Sequence, residues 1–273
     1  MTTYPIEVKD LETYYGSRKI LDKITLNIEQ GKITVVLGGS GCGKSTLLKH
    51  MIGLYYPTAG TVRLLGEDIH ALSEDKREKL LPRIGMLFQN GALLSSMTIE
   101  DNVALPIREH TNLPNSIIQD IVWIKLMQVE LSHAAKLYPG ELSGGMKKRA
   151  ALARAIALDP DILFCDEPSA GLDPLTSSGL DQLLLNIKEQ FNMTVIVVTH
   201  ELASIEAIAD HAIMLDQGKV LSQGTLDHVR QMDHPMIQSF FGRKIGASQN
   251  LPSALHFFQH SANQTDQILE KSS

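Results

Sequence analysis

The pattern of apolar and polar residues predicts short strands that alternate with helices along most of the chain. Near the N-terminus, residues 6–8 and 24–28 alternate in the manner of half-buried strands. Residues 33–37 are continuously apolar or β-branched, which is typical of a strand buried on both faces. Helical spacing follows at 44–52, and residues 60–65 return to a strand pattern.

The second half of the chain is first helical in its spacing and then returns to strands. Helical spacing runs from 98 to 157, most clearly at 117–127 and 145–158. Apolar strand patterns follow at 161–165 and 194–198, and a hairpin closes the series at 212–221. We therefore expect an α/β fold with a mostly parallel sheet, an antiparallel β region at the N-terminus and an inserted α-helical subdomain.

Composition and charge limit how such a protein can work. The chain has 273 residues, 43% of them hydrophobic and 21% charged, which suits a globular protein with a large core. A net charge of −6 argues against coating a nucleic acid and against attachment to an anionic membrane through a basic surface. No apolar run approaches the roughly 18–20 residues that span a bilayer, and the first residues lack a signal-peptide pattern. Any membrane role is therefore expected to come through a partner, and the two cysteines, Cys42 and Cys165, suit a reducing cytosol.

A glycine-rich segment directly after the 33–37 strand matches the phosphate-binding P-loop pattern G-x-x-x-x-G-K-[ST]. Its glycines allow successive backbone N–H groups to point inward, and the following helix N-terminus adds partial positive charge. Lys44 is expected to reach the β- and γ-phosphates of ATP, and the Ser45 hydroxyl to bind Mg²⁺. The predicted nucleotide-binding residues of this segment are Gly38, Gly39, Ser40, Gly41, Cys42, Gly43, Lys44, Ser45 and Thr46.

Two adjacent carboxylates, Asp166 and Glu167, follow the apolar strand pattern at 161–165. Ligands of α/β sheets collect at the carboxyl ends of strands, where this pair is expected to lie. Asp166 is predicted to bind Mg²⁺, either directly or through water. Glu167 is predicted to polarise the attacking water as general base, a role that contributes about 10²–10⁴-fold to a rate.

The segment LSGGM at 142–146 resembles the signature sequence of the ATP-binding cassette (ABC) family, and with the motifs above the resemblance covers about residues 5–235. It implies a RecA-like P-loop NTPase core of the ABC type that binds and hydrolyses ATP. It also implies that Ser143, Gly144 and Gly145 contact the γ-phosphate held by a second copy, so that two copies form a nucleotide-sandwich homodimer. The physics agrees, because a serine-capped helix N-terminus favours an anion.

Other elements of the family pattern occur in the same order along this chain. The resemblance implies that Tyr15 stacks on adenine, that Gln89 approaches Mg²⁺ and water, and that Asp173 belongs to a loop at the dimer interface. It implies further that His200, after the 194–198 strand, contacts the γ-phosphate as a switch residue. The predicted catalytic residues are therefore Glu167, His200 and Gln89, and the predicted Mg²⁺ ligands are Ser45, Gln89 and Asp166.

Met146 stands where the family more often has glutamine, and this departure narrows the subgroup. Together with segments 87–110, 143–160 and 166–181, it resembles the ATPase subunit of Mla-type bacterial lipid transporters. The resemblance implies phospholipid trafficking between the two membranes of a Gram-negative envelope, energised at the cytoplasmic face of the inner membrane. It implies a multi-spanning permease and a periplasmic lipid-binding subunit as partners, and no nucleic acid.

Two other functions remain open for a chain with these motifs. A different ABC importer would share every catalytic residue, and a cluster-assembly-type ABC ATPase would act without a transporter.

The predicted domains are an ABC ATPase domain at 1–240, with its helical subdomain at about 90–160, and a C-terminal extension at 241–273. The extension is either a dimer or partner contact, or a closing helix with a disordered end.

The resemblance implies that a cytoplasmic helix of the membrane subunit docks at residues 90–98, directly after Gln89, and the chain is apolar and small in character there. Leu93, Leu94 and Met97 are the candidates, and ordinary core packing is the equal alternative for each of them.

Overall fold

Two β-sheets organise the chain, and the computed structural model describes them within residues 4–242. The strands in that range are β1 (Ile6–Tyr15), β2 (Arg18–Ile28), β3 (Ile33–Gly38), β4 (Ala59–Leu64), β5 (Glu67–Asp68), β6 (Ile84–Leu87), β7 (Ile162–Asp166), β8 (Thr194–Val198), β9 (His211–Asp216) and β10 (Lys219–Thr225). The helices are α1 (Lys44–Met51), α2 (Glu74–Leu80), α3 (Ile99–His110), α4 (Asn115–Gln128), α5 (Gly144–Ala155), α6 (Pro174–Phe191), α7 (Leu202–Ile208), α8 (Leu226–Arg230) and α9 (Pro235–Phe241). This alternation of strands and helices is the predicted α/β pattern.

The larger sheet has six strands in the order β10-β9-β3-β8-β7-β6. Strands β6, β7, β8, β3 and β9 are parallel, and β10 pairs antiparallel with β9 as the predicted closing hairpin. All residues of β3 and β8 are buried, because both faces of a parallel sheet are covered by packed elements. The prediction of a mostly parallel central sheet is thus confirmed.

The smaller sheet is the antiparallel N-terminal region that the sequence predicts, in the order β2-β1-β4-β5. Its inward-facing side chains pack with α1 and with one face of the larger sheet. Members of this buried cluster include Ile6, Val8, Leu26, Leu47 and Phe164. Burying a side chain of this size stabilises a fold by about 1.5–3 kcal/mol, so the cluster fixes α1, and the loop before it, against the sheet.

Helices α3, α4 and α5 pack on one another and join a second buried cluster with the larger sheet. They lie in the expected insertion at about 90–160, whose limits stay a prediction. The elements that the sequence analysis did not predict include the four-residue strand β6 and the 18-residue helix α6. None of the helices between residues 4 and 242 combines the length and the apolar character that crossing a membrane requires.

The C-terminal part of the described chain ends with α8 and α9. Most of the predicted extension, including Phe257 and Phe258, lies outside the described residues. Phe240 and Phe241 fall within α9, where their rings pack edge-on with 5.3 Å between centroids and lie half-buried against the second cluster. The division between a domain ending at 240 and an extension therefore stays a prediction.

Candidate functional site

Four neighbouring parallel strands end at one edge of the larger sheet, and each leads into a predicted segment of the site. In the order β3-β8-β7-β6, the P-loop follows β3, His200 follows β8, Asp166 and Glu167 lie at the end of β7, and Gln89 follows β6. The carboxyl ends of parallel strands lie on one side of a sheet, so residues far apart in sequence meet there. The predicted catalytic segments therefore share one edge of the fold.

The P-loop turns sharply from β3 into α1 and uses conformations that only glycine adopts easily. Gly38 and Gly43 have φ values of 144° and 109°. A Cβ on Gly38 would collide with the carbonyl oxygen of Leu215, so the loop can approach β9 this closely only without a side chain. Lys44 folds back and donates from Nζ to the carbonyls of Gly38 (2.9 Å) and Gly39 (3.0 Å). A cation is thus held inside the loop that is predicted to bind phosphates.

The remaining P-loop residues are divided between buried and accessible positions. Cys42 is buried, and burial raises the pKa of its thiol although the Lys44 ammonium acts in the opposite direction. It therefore packs as a protonated side chain at neutral pH. Ser40, Gly41 and Ser45 are exposed, so their hydroxyl and backbone groups are accessible to a ligand.

Glu167 has a strained backbone at the end of β7. Its φ of 47° lies in the left-handed region, which costs a residue other than glycine roughly 1–2 kcal/mol. Its N–H donates to the Val198 carbonyl at 2.8 Å, and its Oε1 lies 2.8 Å from Nδ1 of His200. Its Oε2 is buried without a hydrogen-bond partner among the described residues. A buried unpaired carboxylate oxygen is costly, so this atom is suited to receive a water molecule or another ligand group.

Oxygen ligands for Mg²⁺ are available beside this acidic pair. Burial raises the pKa of Asp166, as does the Glu167 carboxylate, while nearby lysine ammonium groups act in the opposite direction. A bound cation would relieve the cost of ionising such a carboxylate. The Ser45 hydroxyl and the Gln89 side-chain amide complete a set of oxygen donors, the ligand type that Mg²⁺ prefers. The residues present therefore fit the ion.

A cavity of about 700 Å³ opens beside the P-loop, a volume in the range of small-molecule sites. The predicted residues that line it are Gly38, Gly39, Ser40, Lys44, Glu167 and His200. Met236, Ser239 and Phe240 of α9 also line it, and sequence reasoning missed them because this contact joins distant parts of the chain. The predicted phosphate site therefore has one wall supplied by α9.

Tyr15, the residue predicted to stack on adenine, lies near the start of α1. It is 50% exposed, and its hydroxyl is 3.5 Å from Oγ1 of Thr46. Tyr55 packs edge-on against it with 6.4 Å between ring centroids, and the Tyr55 carbonyl lies 2.9 Å from Nδ1 of buried His50. Sequence reasoning missed Tyr55 and His50. The available signal was the aromatic pair Tyr55-Tyr56 so soon after the P-loop helix.

The signature residues form a separate region at the start of α5 and are not among the described residues that line the cavity. Ser143 and Gly144 are exposed, and Ser143 Oγ accepts a hydrogen bond from the Met146 N–H at 3.3 Å as the helix cap. Asp173 caps α6 similarly, and hydrogen bonds from the Thr176 hydroxyl and N–H lower the pKa of its carboxyl. Both predicted interface loops therefore present capped, accessible helix starts.

The side chain of a buried lysine that was not predicted extends from the signature helix α5 to the acidic pair. Lys148 of α5 donates from Nζ to the carbonyls of Gln89 (2.5 Å) and Glu167 (3.1 Å). Burial lowers the pKa of its ammonium, and the Glu167 carboxylate acts in the opposite direction. The available signal was its position three and four residues before the buried Ala151 and Leu152, which assigns a charge to the apolar face of the helix.

The sequence matches one known family and resembles named proteins of that kind. Residues 21–170 match the family described as ABC transporter. The chain is 45% identical over 242 residues to the intermembrane phospholipid transport system ATP-binding protein MlaF of Haemophilus influenzae, covering 88% of this chain and 92% of that protein. It is 43% identical over 242 residues to the probable ribonucleotide transport ATP-binding protein mkl of Mycobacterium leprae, covering 88% and 70% respectively.

A solved dimer shares the fold. The ATP-binding cassette MJ0796, in a dimeric post-hydrolysis state bound to ADP and Pi, has a TM-score of 0.74 and 30% sequence identity to this chain. The match covers 81% of this chain and 98% of that one. The same fold is therefore found with a bound nucleotide and in a pair.

Proposed function

This chain belongs to the ABC transporter family as an ATP-binding, ATP-hydrolysing subunit, and from that premise we propose that it energises phospholipid trafficking in a bacterial envelope. The observation that supports the ATPase chemistry best is that Lys44, Glu167 and His200 line one cavity. The cargo is supported by the 45% identity to MlaF of H. influenzae, which extends over 92% of that protein.

We assign a role in ATP hydrolysis to each group at this edge of the sheet. Lys44 and the P-loop amides bind and orient the phosphates of ATP. Glu167 accepts a proton from the attacking water, and His200, in contact with it, orients the carboxylate and approaches the γ-phosphate. Ser45, Asp166 and Gln89 would hold Mg²⁺, which supplies positive charge against the charge that develops on the phosphoryl oxygens.

The complete site requires two copies in this proposal. Ser143, Gly144 and Gly145 do not line the cavity of their own chain, and N–H groups at a helix start attract an anion. A second copy can bring these groups to the ATP held by the P-loop of the first copy. The dimeric nucleotide-bound cassette with the same fold supports this arrangement.

A groove next to Gln89 and the residues that follow it (the Q-loop, residues 89–92) is suited to a membrane partner. The groove, of about 370 Å³, lies between the β6 segment, α3 and α5, and its lining includes Leu81, Phe88, Leu105 and Pro106. Leu81 is 45% exposed and Phe88 is 38% exposed. An apolar helix that covered these side chains would remove apolar surface from water, which stabilises the contact. We propose that a cytoplasmic helix of a multi-spanning permease binds here, one residue from Gln89, and holds the chain at the inner membrane.

The position of this groove changes the expectation that Leu93, Leu94 and Met97 contact the membrane subunit. Leu93 is partly buried against the second cluster, whereas Leu94 is 41% exposed, and neither lines the groove. A charged substitution at Phe88 should therefore detach the permease more than the same substitution at Leu94. Leu113, also 41% exposed and outside the groove, provides a control for exposure alone.

The first experiment is purification of the tagged chain from its native membranes in detergent, with mass spectrometry of co-purifying proteins and lipids. We expect a multi-spanning permease, a periplasmic lipid-binding subunit and bound phospholipid. Phe88→Asp should lose these partners while binding ATP, and Leu113→Asp should retain them. Partners confined to the soluble fraction would overturn the transport role and favour a cluster-assembly type of ATPase.

Cargo is then tested in vesicles that contain the purified complex. ATP-dependent transfer of fluorescent phospholipid, absent with Glu167→Gln, is the expected result. ATP-dependent uptake of ribonucleotides without lipid transfer would instead favour the function for which mkl of M. leprae is named. Uptake of another solute would favour a different ABC importer.

A further inference from the structure

The buried ammonium of Lys148 has no obvious role in packing. Lys148 is 7% exposed, and residues Ala150 to Ala153 of the same helix are buried and apolar. Burying a charge is strongly unfavourable unless it is paired or hydrogen-bonded, and an apolar side chain of similar length often stabilises such a position at least as well. The groups to which Lys148 donates therefore indicate why a cation is there.

Both acceptors are backbone carbonyls of predicted catalytic residues. Lys148 Nζ donates to the Gln89 carbonyl, 59 positions away in the chain, and to the Glu167 carbonyl, 19 positions away. The backbone of Glu167 is strained, with a φ of 47°. A charge-assisted hydrogen bond is stronger than a neutral one, so Lys148 stabilises this carbonyl in its strained orientation. Glu167 is then fixed at its N–H by Val198, at its carbonyl by Lys148 and at its carboxylate by His200.

The same helix holds the rest of the Q-loop at a second point. Arg154 donates from its guanidinium to the carbonyls of Gly91 (2.8 Å) and Ala92 (2.7 Å). Ala92 has a φ of 50°, so this part of the loop is also strained. Helix α5 therefore contacts the Q-loop through two cations, and only Lys148 of these two also reaches the Glu167 backbone.

We propose that Lys148 is a positioning residue that joins the Q-loop, the general base and the signature helix into one unit. Because α5 begins at the signature residues, a shift of this helix against a partner copy is passed to Gln89 and Glu167 together. Lys148 touches neither nucleotide nor water in this role; it sets the spacing of the two residues that do. The inference rests on the proposed role of Glu167 as general base.

The experiment compares lysine substitutions in the full chain. Lys148→Met keeps the length and removes the donors, and Lys148→Arg restores donors to both carbonyls. The matched control is Lys125→Met, because Lys125 is also a buried lysine, 3% exposed, but it pairs with Asp159 away from the site. If Lys148→Met fails to fold, Lys148→Gln, which keeps a donor amide but lacks the charge, takes its place.

We expect Lys148→Met to lower kcat between tenfold and about a hundredfold, because a displacement of about 1 Å in a catalytic group has an effect of that size. KM for ATP and binding of a fluorescent ATP analogue should stay within about twofold, because the P-loop is unchanged. Hydrogen exchange in peptides spanning 87–93 should become faster, and Lys148→Arg should recover part of kcat. Lys125→Met should keep both kcat and this exchange.

The outcome that overturns the proposal is a kcat for folded Lys148→Met equal to that of Lys125→Met, with unchanged exchange at 87–93. A loss of kcat that only follows the loss of folded protein, measured by thermal unfolding, overturns it as well. Glu167→Gln is assayed in parallel to separate the two hypotheses. If that variant hydrolyses ATP normally, the assignment of the base fails, whatever Lys148 does.

Discussion

The two halves of the proposed ATP site differ in how complete they are within one chain. In the P-loop half, Lys44 is bonded to loop carbonyls, and Glu167 contacts His200 beside one cavity. In the signature half, Ser143 and Gly144 are exposed at the start of α5, and the Ser143 hydroxyl caps its own helix. The first half is preorganised by buried strands, whereas the second offers accessible helix-terminal N–H groups to a ligand held elsewhere.

This difference determines how each half can be tested. The P-loop half is fixed at the ends of strands that include the fully buried β3 and β8, so its binding and its chemistry can be altered within one chain. The signature half has an electrostatic preference for an anion, but that preference acts on ATP only when a second copy is opposite. Variants of the two halves should therefore behave differently alone and in mixtures.

The largest effect is expected from Glu167→Gln, which removes the proton acceptor and keeps the shape of the side chain. Hydrolysis should fall by about 10²–10⁴-fold, measured as phosphate release. ATP binding should remain, because the P-loop contacts are unchanged, and the unhydrolysed nucleotide should hold two copies together. Size-exclusion chromatography with MgATP should show this dimer. A variant that binds ATP but stays monomeric would contradict the idea that the two halves meet around the nucleotide.

Mixing variants separates the halves more sharply. Lys44→Ala should abolish nucleotide binding, and Ser143→Arg should abolish hydrolysis while retaining binding, so neither is active alone. In a mixed dimer, the normal P-loop of one chain faces the normal signature of the other, and one intact site results. An equal mixture should therefore recover about a quarter of wild-type hydrolysis, since random pairing gives half mixed dimers with one site each. If both halves acted within one chain, the mixture would stay inactive.

The same contrast explains what the sequence could predict. The P-loop and the acidic pair are contiguous segments after apolar strands, so pattern and spacing predict Lys44 and Glu167 as site residues, and both line the same cavity. Lys148 and Tyr55 were missed because their roles depend on contacts with remote segments, 59 positions away in the case of Lys148 and Gln89. The wall that Met236 adds to the cavity is also a long-range contact. Local patterns thus predict the strands and the motifs that follow them, and tertiary packing decides which side chains support those motifs.

Gly145→Ala is expected to have an intermediate effect and tests the signature half without mixing two variants. A Cβ at Gly145 would meet the Cγ2 methyl of Thr176, and Thr176 is held in place by hydrogen bonds to Asp173. Overpacking of this kind costs about 1–3 kcal/mol and should separate α5 from α6. Hydrolysis should fall by about tenfold, with ATP binding by the single chain unchanged, since about 1.4 kcal/mol corresponds to a factor of ten.

Two further variants show whether the steric contact is responsible. Gly140→Ala is the matched control, because a Cβ there meets nothing within 4 Å, and it should keep full activity. Thr176→Ser removes the obstructing methyl but keeps the hydroxyl, so the double variant with Gly145→Ala should regain hydrolysis. Failure of this rescue would mean that backbone freedom at Gly145, rather than its close approach to α6, is what the signature half requires.

The smallest expected effect concerns Asp181. This residue lies in α6, the helix between the two halves of the site within one chain. The helix starts after the predicted interface residue Asp173 and packs against both α5 of the signature half and α7, the helix that follows His200 of the P-loop half. Asp181 is 5% exposed, and its Oδ1 has no hydrogen-bond partner among the described residues. Burial raises the pKa of its carboxyl, and the nearby Ser204 hydroxyl acts in the opposite direction.

The sign of the pH dependence follows from that raised pKa. The unfolded chain releases the proton near pH 3.9, whereas the folded chain keeps it to higher pH, so the free energy of unfolding falls as pH rises between the two pKa values. Asp181→Asn removes this fall, and it should be more stable than wild type at pH 8 by on the order of 1 kcal/mol. Urea unfolding at pH 8, 6 and 4.5 should show the difference shrinking as the wild-type carboxyl becomes protonated. A variant less stable than wild type at pH 8 would mean that the ionised Asp181 carboxylate stabilises the packing of α6 against α7.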